Sequence, residues 1–379
     1  MPIELGLTPQ QQAQQASFRA FVDKVVVPEA SRCDQEEYTP MELIQKIAEQ
    51  GYLGAIAPVE YGGLAMDMLT LGLLHEEFGR GCSSLRSLLT VQSMVIYALT
   101  RWGNTWQREK WLPKLIRGEM IAAFALSEAE AGSDASQIET IAVQEKDGHY
   151  SIQGQKKWVT YGQIAHLILL FAYAHNKITA FLVESETPGI SAKPIKGVLG
   201  TRGSMLAVLS FNKCRVSSEH KLGGREFGLA SVATSALDIG RYSVACGCVG
   251  MAQACLDASL HYASKRQQFG KYIKDHQLIQ QMLTDMIVSI KAARLLCRQA
   301  GYLKDLNDPR TIMETWIAKY FASTTAVKAA NFAVQIHGAN GCSADYPVQR
   351  YYRDAKIMEI IEGSTQIQQI TIASYGGGE

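Results

Sequence analysis

Apolar positions recur at helical spacing through residues 1–119, switch to short β-type runs over 120–224, and return to helical spacing over 225–379. The first helix is predicted in "TPQQQAQQASFRAFVDKVV", where Thr8 stands at the cap, Pro9 in the first turn, and Phe18, Phe21 and Val25 share a face. "TPMELIQKIAEQG" repeats the design from Thr39-Pro40 to a terminating Gly51. "MLTLGLLHEEFGRG", "SSLRSLLTVQSMVIYALTRWG" and "TWQREKWLPKLIRG" continue the series, and the last stretches are apolar enough to be largely buried.

The middle region reads differently. "AAFALSE", "IETIAVQEKDGHYSIQGQKKWVTYG", "HLILLFAYA", "ITAFLVES" and "LAVLSFNKCRV" are strand-like runs separated by Gly, Asp and Asn, and "EKDGHY" predicts a hairpin. After it come "LASVATSALDIGRYSVACGCVGMAQACLDASLHYASKRQQFG", "DHQLIQQMLTDMIVSIKAARLLCRQAGYLKD" and "RTIMETWIAKYFASTTAVKAANFAVQIHG", long helices with alternating large and small faces. They predict a four-helix bundle. The chain therefore reads as α+β, in the order helical domain, β domain, helical bundle, with no internal repeat.

Composition narrows the partners. Lys+Arg at 37 nearly cancels Asp+Glu at 36, so neither a nucleic-acid surface nor an acidic tail is expected. The eight cysteines show no repeated CxxC pair, and no histidines stand at metal-ligand spacing. No metal site and a reducing, cytoplasmic setting are the expectations. The start lacks a signal-peptide pattern, and apolar windows such as "LLTVQSMVIYALTRW" are too short and polar to insert in a membrane.

A P-loop, a strand–GxGxxG–helix, a GxSxG elbow and an HExxH helix are all missing from the sequence. Gly does sit beside polar residues in "AEAGSDAS", "RQQFGK", "QIHGANGC" and "EGSTQIQ", where backbone amides can approach an anion or a flat ring. Separately, each has an ordinary reading. "AGSD" is a turn with Asp capping the next element, and "QIHGANG" is a helix end with Gly338 or Gly341 left-handed. "KKWVTYG" is a plain strand with a core Trp158, and Asp238 and Arg241 are an ion pair at i, i+3. In "IMEIIEGSTQIQQI", Glu359 supports its element by local pairing or faces out, whereas Glu362 stands in dry surroundings before Gly363.

Together and in this order, "AFALSEAEAGSDAS", "KKWVTYG", "LGTRGS", "ALDIGRYSVACGCVGMAQACLD", "KRQQFGK", "QIHGANG" and "YRDAKIMEIIEGSTQIQ" resemble the acyl-CoA dehydrogenase family over essentially the whole chain. The resemblance implies that family's fold, with a helical N-terminal domain, a middle β-barrel or sandwich and a C-terminal four-helix bundle. It implies FAD held in an extended form and a homotetramer built of dimers. Phe124, Leu126 and Ser127 would lie along the isoalloxazine edge, and Ser133 would meet a diphosphate oxygen or the thioester's pantetheine arm. Trp158 and Thr160 would pack against and hydrogen-bond the flavin. Arg266, Gln268, Phe269, His276 and Gln277 would contact FAD across the subunit interface. Gln335, Gly338 and Ala339 would cradle the diphosphate and adenosine end, with Ala339 replacing a common glycine. Ser364 and Gln366 would be the last FAD contacts. Thr365 and Gln368 stand at capping-box spacing, an arrangement that would aim free amides at an anion.

The same resemblance implies FAD-dependent α,β-dehydrogenation of an acyl thioester, with Glu362 removing the α-proton as the β-hydride goes to flavin N5. Some relatives place the base just before the arginine of "ALDIGR", which here is Gly240. Asp238, Arg241, Ile361, Gly363 and Ser133 would line the substrate channel, and Ile361 stands where fatty-acyl members have an aromatic. The substrate would be a short acyl or aminoacyl thioester, prolyl included, on CoA or an acyl or peptidyl carrier protein. Electrons would pass to an acceptor protein or to oxygen. A monooxygenase or oxidase of the same fold, and a non-catalytic acyl- or flavin-binding scaffold, are the alternatives. Glu362 argues against the monooxygenases, and the intact base and flavin contacts argue against the scaffold.

Overall fold

Thr8 caps α1 (Pro9–Phe21) through its hydroxyl, which accepts from the Gln11 N–H, while the Gln11 side chain returns to the Thr8 N–H. After α2 (Ala30–Glu36), the Thr39-Pro40 pair does not repeat this device at α3 (Met41–Glu49). The Thr39 hydroxyl is buried and donates instead to the Gly203 carbonyl at 2.7 Å, with Tyr161 Oη at 3.1 Å. It ties the helical domain to the β domain rather than starting a helix. Gly51 ends α3 in the left-handed region at φ +74°. Asp67 caps α4 (Met68–Gly81), and α4 and α5 (Ser83–Trp102) are buried along nearly their whole length. Asn104 and Gln107 form a capping box on α6 (Thr105–Ile116).

This computed structural model describes residues 6–224 and 228–376; the terminal "GGE" and the junction at 225–227 lie outside the described residues. The β domain comprises β1 (Ala122–Ala125), β2 (Ile141–Gln144), β3 (Tyr150–Val159), β4 (Leu167–Ala174), β5 (Lys177–Glu184), β6 (Ile190–Pro194), β7 (Ala207–Val216) and β8 (Lys221–Leu222). Their order is β6-β7-β3-β2-β4-β5-β8, with β1 parallel to β4. The predicted hairpin forms: Gln144 pairs with Tyr150, and Gly148 at φ +87° closes the turn. The runs "LILLFAYA" and "ITAFLVE" are apolar on both faces because both are covered. Leu167, Leu169, Phe171, Ala180 and Leu182 pack with Val95, Leu99 and Trp111 of the helices. Ile168, Leu170, Phe181 and Val183 pack with Ile152, Leu209 and Phe211 across the β domain.

The C-terminal bundle is built on α7 (Thr234–Lys265), α8 (Gln277–Asp305), α9 (Thr311–His337) and α10 (Val348–Met358), with α11 (Thr365–Gly376) against α9. Between α7 and α8 lies a short ribbon, β9 (Gln267–Gln268) and β10 (Lys271–Tyr272). The span Gly228–Lys265 is long and apolar enough to cross a membrane by length and composition, contrary to the sequence expectation. Its most apolar window is 78% buried in the fold, so it is the bundle's core helix.

Glycines let α7 lie against α4. A Cβ added at Gly250 would stand 1.7 Å from the Glu76 carbonyl oxygen, and one at Gly79 would stand 2.2 Å from the Gly247 carbonyl. Both obstacles are backbone, so no rotamer change relieves them. Gly250→Ala is therefore expected to destabilise the fold by about 3 kcal/mol, the upper part of the overpacking range. A urea midpoint unchanged from wild type would show that the two helices can part without cost.

Candidate active site

The site begins where α10 ends. Glu359 accepts an ion pair from Lys356 at 2.7 Å, one turn back, as local pairing predicts. Beyond Ile360 and Ile361 the chain reverses through two consecutive left-handed residues, Glu362 at φ +56° and Gly363 at φ +94°. For Glu362 that conformation costs about 1–2 kcal/mol, so its surroundings must enforce it. They do so through its carbonyls. Arg241 Nε donates to the Glu362 carbonyl at 3.2 Å, and Gln368 Nε2 donates to the same oxygen at 3.1 Å and to the Gly363 carbonyl at 3.2 Å. Lys319 Nζ donates to the Gly363 carbonyl at 2.6 Å from a fully buried position.

The backbone clamp aims the Glu362 side chain onto α7. A Cβ at Gly240 would stand 2.5 Å from Glu362 Oε2 and 2.7 Å from its Cδ, so the carboxyl fills the space above that glycine. The residue as a whole is half-buried, but Oε2 is shielded from solvent and has no hydrogen-bond partner. Burial raises the carboxyl above the usual carboxylate range. The charges of Arg241, Lys319 and Arg86 oppose this and do not win. Lys319, desolvated in turn, is pushed down to about 8.

Two sequence expectations about this region need correction. Asp238 does not pair with Arg241. It pairs with Lys304 of α8, whose side chain is buried, because Lys304 reaches it across the helix interface. Arg241 lies over the Trp316 ring at 4.1 Å while holding the Glu362 carbonyl. Nor do Thr365 and Gln368 form a capping box. Ser364 Oγ accepts from the Ile367 N–H at 3.4 Å, and Gln368 turns back to the clamp. The Thr365 N–H goes to the Glu359 carbonyl and the Gln368 N–H to the Ser364 carbonyl, so these amides are spent within the chain rather than offered to an anion. Ile361 is half-buried against the bundle core, and Gln366 is exposed on the first turn of α11.

A second group of expected residues lies on the β domain. Phe124 on β1 packs at 5.1 Å from Phe171, Leu126 is buried, and Ser127 follows with its carbonyl held by the Lys157 N–H. That bond brings the end of β1 to the end of β3. There Trp158 adopts φ +63° beside a register shift and is 50% exposed, so it is not a core residue of a plain strand. Thr160 is half-buried, and its neighbour Tyr161 donates to the Ser84 carbonyl at the start of α5. Ser133 is exposed on the following loop, where Asp134 caps Ser136 as predicted. A half-exposed indole held out by backbone strain, with Ser127 joined to its neighbour Lys157 through the backbone and Thr160 two residues on, fits a flat ring with a polar rim.

The third group is not brought to the first. Arg266, Gln268, Phe269, His276 and Gln277 follow the far end of α7, roughly 37 Å along that helix from Gly240 at 1.5 Å per residue. Phe269 is 95% exposed at φ +51°, with His276 against it. Gln335, Gly338 and Ala339 end α9 at the same end, where His337 stacks on Tyr262 at 4.3 Å. Gly338 takes φ +59° with ψ −140°, a region open essentially to glycine alone, and a Cβ there would meet nothing.

Sequence reasoning overlooked Arg86, Lys319, Lys304, Trp316, His75 and Ser243. The signal for the first two was present: each is one cation inside a run otherwise buried at helical spacing, "SSLRSLLTVQSMVIYAL" and "TWIAKYFASTTA". Among the described residues no cluster of His, Cys, Asp and Glu could hold a metal.

Comparison with known proteins covers the chain end to end. The acyl-CoA dehydrogenase N-terminal, middle and C-terminal domain families match residues 8–119, 123–214 and 228–375. The probable acyl-CoA dehydrogenase YngJ of Bacillus subtilis is 38% identical, over 97% of this chain and 98% of its own. Butyryl-CoA dehydrogenase from Megasphaera elsdenii superposes with a TM-score of 0.95 at 33% identity, over 98% of this chain and 99% of its own. The prolyl acyl carrier protein oxidase AnaB gives 0.92 at 29% identity, over 98% and 100%. A glutaryl-CoA dehydrogenase from Mycobacterium smegmatis, in complex with FADH2, gives 0.94 at 27% identity, over 98% and 96%.

Proposed function

The chain belongs to the acyl-CoA dehydrogenase family, and from that premise we propose that it is an FAD-dependent enzyme removing the α- and β-hydrogens of a short acyl thioester, with Glu362 as the base. The observation that carries this reading is the unpartnered, shielded Oε2 of Glu362, clamped from behind by Arg241, Lys319 and Gln368. When bound, FAD supplies the acceptor for the β-hydride. The chain's own residues do the rest. Glu362 takes the α-proton, and a carboxyl raised by burial is matched to a weak carbon acid better than a solvated one. The clamp spends donors on the carbonyls of 362 and 363 and none on the carboxylate, which keeps the base both fixed and unquenched.

Ser127, Trp158 and Thr160 would hold the ring, with Phe124 and Leu126 behind them. Ser133, Asp238, Arg241, Ile361 and Gly363 would line the thioester channel, and Ser364 and Gln366 would be the last FAD contacts. Arg266, Gln268, Phe269, His276, Gln277, Gln335, Gly338 and Ala339 are too far along α7 and α9 to serve the same base. They support a reading in which a second copy completes each site, in a homotetramer. The free cysteines, all buried but Cys342, suit a reducing cytoplasm.

The carrier is CoA or an acyl carrier protein, and the electron acceptor a protein or oxygen. Anaerobic mixing of the FAD-loaded protein with CoA- and carrier-linked short acyl and prolyl thioesters separates these, because only a true substrate bleaches the flavin. Failure of every thioester to bleach it overturns the reading.

A further inference from the structure

We propose that Trp316 is a positioning residue for the base: its indole face holds the Arg241 guanidinium on the Glu362 carbonyl and keeps that cation from closing an ion pair on the Glu362 carboxylate. The proposal rests on the reading of Glu362 as the base of thioester dehydrogenation. Arg241 is 8% exposed. Its Cζ lies over the Trp316 ring at 4.1 Å, the shortest cation–ring distance among the described residues. Nε donates to the Glu362 carbonyl at 3.2 Å, and among the described residues the Nη groups make no hydrogen bond and meet no carboxylate at ion-pair distance. A guanidinium carries five donors, so most of those on Arg241 are uncommitted. The ring supplies the hold that hydrogen bonds do not, because a cation is drawn to an indole face most strongly where water is excluded.

The alternative partner is close. Carbonyl and carboxylate belong to one residue, so a guanidinium seated on the first stands within a side-chain length of the second. Burial raises the Glu362 carboxyl, and of the neighbouring charges that of Arg241 opposes this most strongly, yet Oε2 has no hydrogen-bond partner. Arginine–carboxylate forks are among the strongest pairs in proteins, so the open arrangement needs something to hold it. The other cations near the base are tied elsewhere. Lys319 Nζ donates to the Gly363 carbonyl at 2.6 Å, and Arg86 donates to the hydroxyls of Thr90, Ser87 and Ser243. Of the three, Arg241 is the one bonded to residue 362 itself. The nearby acids are taken as well, Asp238 by Lys304 and Glu359 by Lys356. Burial leaves the last two titratable neighbours uncharged, pushing the Cys248 thiol up to about 12 and His75 down to about 3.

The placement of the indole argues for this role over packing. Trp316 stands one turn before Lys319, so one face of α9 carries two supports of the 362–363 turn: Lys319 directly and Trp316 through Arg241. Unlike Phe321 and Phe332, which pack on the bundle core, Trp316 is half-buried and joins none of the four hydrophobic clusters among the described residues. A large ring outside the core, seated against one buried cation, is placed for that cation. Loss of the ring frees the guanidinium to turn onto the carboxylate. A carboxylate paired in that way holds its charge more readily and takes the α-proton less readily.

The test titrates Glu362 in FAD-loaded protein through the infrared carbonyl band of its protonated carboxyl, identified by its absence in Glu362→Gln. The acid limb of kcat/KM is followed beside it, with the short acyl or prolyl thioester that bleaches the flavin. Trp316→Leu is expected to lower both by about 1 pH unit or more and the plateau kcat by about 10-fold. Trp316→Phe keeps a ring face and should keep most of the wild-type values. With Arg241→Gln in place there is no cation to turn, so adding Trp316→Leu should move neither titration. An unchanged Glu362 titration in Trp316→Leu, an equal drop in Trp316→Phe, or a drop that persists beside Arg241→Gln overturns the proposal. If no thioester bleaches the flavin, the dehydrogenase reading fails while the infrared titration still decides Trp316. Should Trp316→Leu not fold, increasingly fluorinated tryptophans at 316 keep the shape and weaken the negative ring face, so the titration should fall in step. No change along that series overturns the proposal equally.

Discussion

Glu362→Gln is expected to keep bound FAD and lose about 10⁴-fold in turnover, the upper end of what a general base contributes. The size follows from isolation. Position 240 is a glycine and offers no side chain, Glu359 is turned away onto Lys356, and Asp238 onto Lys304. Among the described residues, neither of these two carboxylates is free to take over. With Glu362 as the proposed base, its acid form is expected to be inactive, so kcat/KM should rise with pH through a carboxyl whose affinity for protons burial has increased. That acid limb should lie above the ordinary carboxylate region near 4.3 and vanish from the residual activity of Glu362→Gln. The linkage has a definite sign. A carboxyl raised on folding favours the folded state below its unfolded value, and that contribution is lost as pH rises through the folded value. At pH 7 the ionised, desolvated carboxylate is a net cost, so the amide variant should be as stable as wild type or more so. A drop in thermal midpoint together with lost FAD would instead mark Glu362 as structural.

The layered order of the chain was legible because it rests on periodicity, which a single sequence displays. Thr8, Gly51, Asp134 and the Gly148 turn were legible too, since caps and turns are settled within a few residues. What failed were pairings decided by distant elements. Asp238 and Arg241 stand at ion-pair spacing on α7, but Lys304 of α8 offers Asp238 a buried partner and Trp316 of α9 offers Arg241 a ring face. Thr39 looks like a cap, yet a carbonyl of the β domain claims its hydroxyl. Trp158 reads as core in a strand pattern, and only the left-handed backbone at the β3 register shift turns it outward. Lys319 and Arg86 were visible as cations in buried helical faces. Their roles were not, because a charge inside a core acquires meaning only from the carbonyl or carboxylate across the interface.

Gly240→Ala tests the placement of the base rather than its chemistry, and should lower kcat about 100-fold in a protein that folds well. The added Cβ meets the far end of a flexible side chain, Glu362 Oε2 at 2.5 Å, so folding can accommodate it by moving the carboxyl. Within α7, Ala in place of Gly gains about 0.5–1 kcal/mol of helix stability, which offsets the contact. The carboxyl cannot move without cost to function, since a shift of about 1 Å at a reacting centre is worth roughly 10² in rate. Activity therefore falls while stability holds, which a general structural defect would not produce. The exchange Gly240→Glu with Glu362→Gly carries the argument further. It supplies a carboxylate from the α7 side to the volume Glu362 now fills, and it relieves the φ +56° strain at 362 by placing glycine there. Activity recovered above either single variant, with the acid limb of the pH profile restored, is the expected result. An exchange variant that binds FAD and thioester yet stays as slow as Glu362→Gln would mean that the two positions do not aim at one point, and that the carboxyl's contact with Gly240 is packing alone.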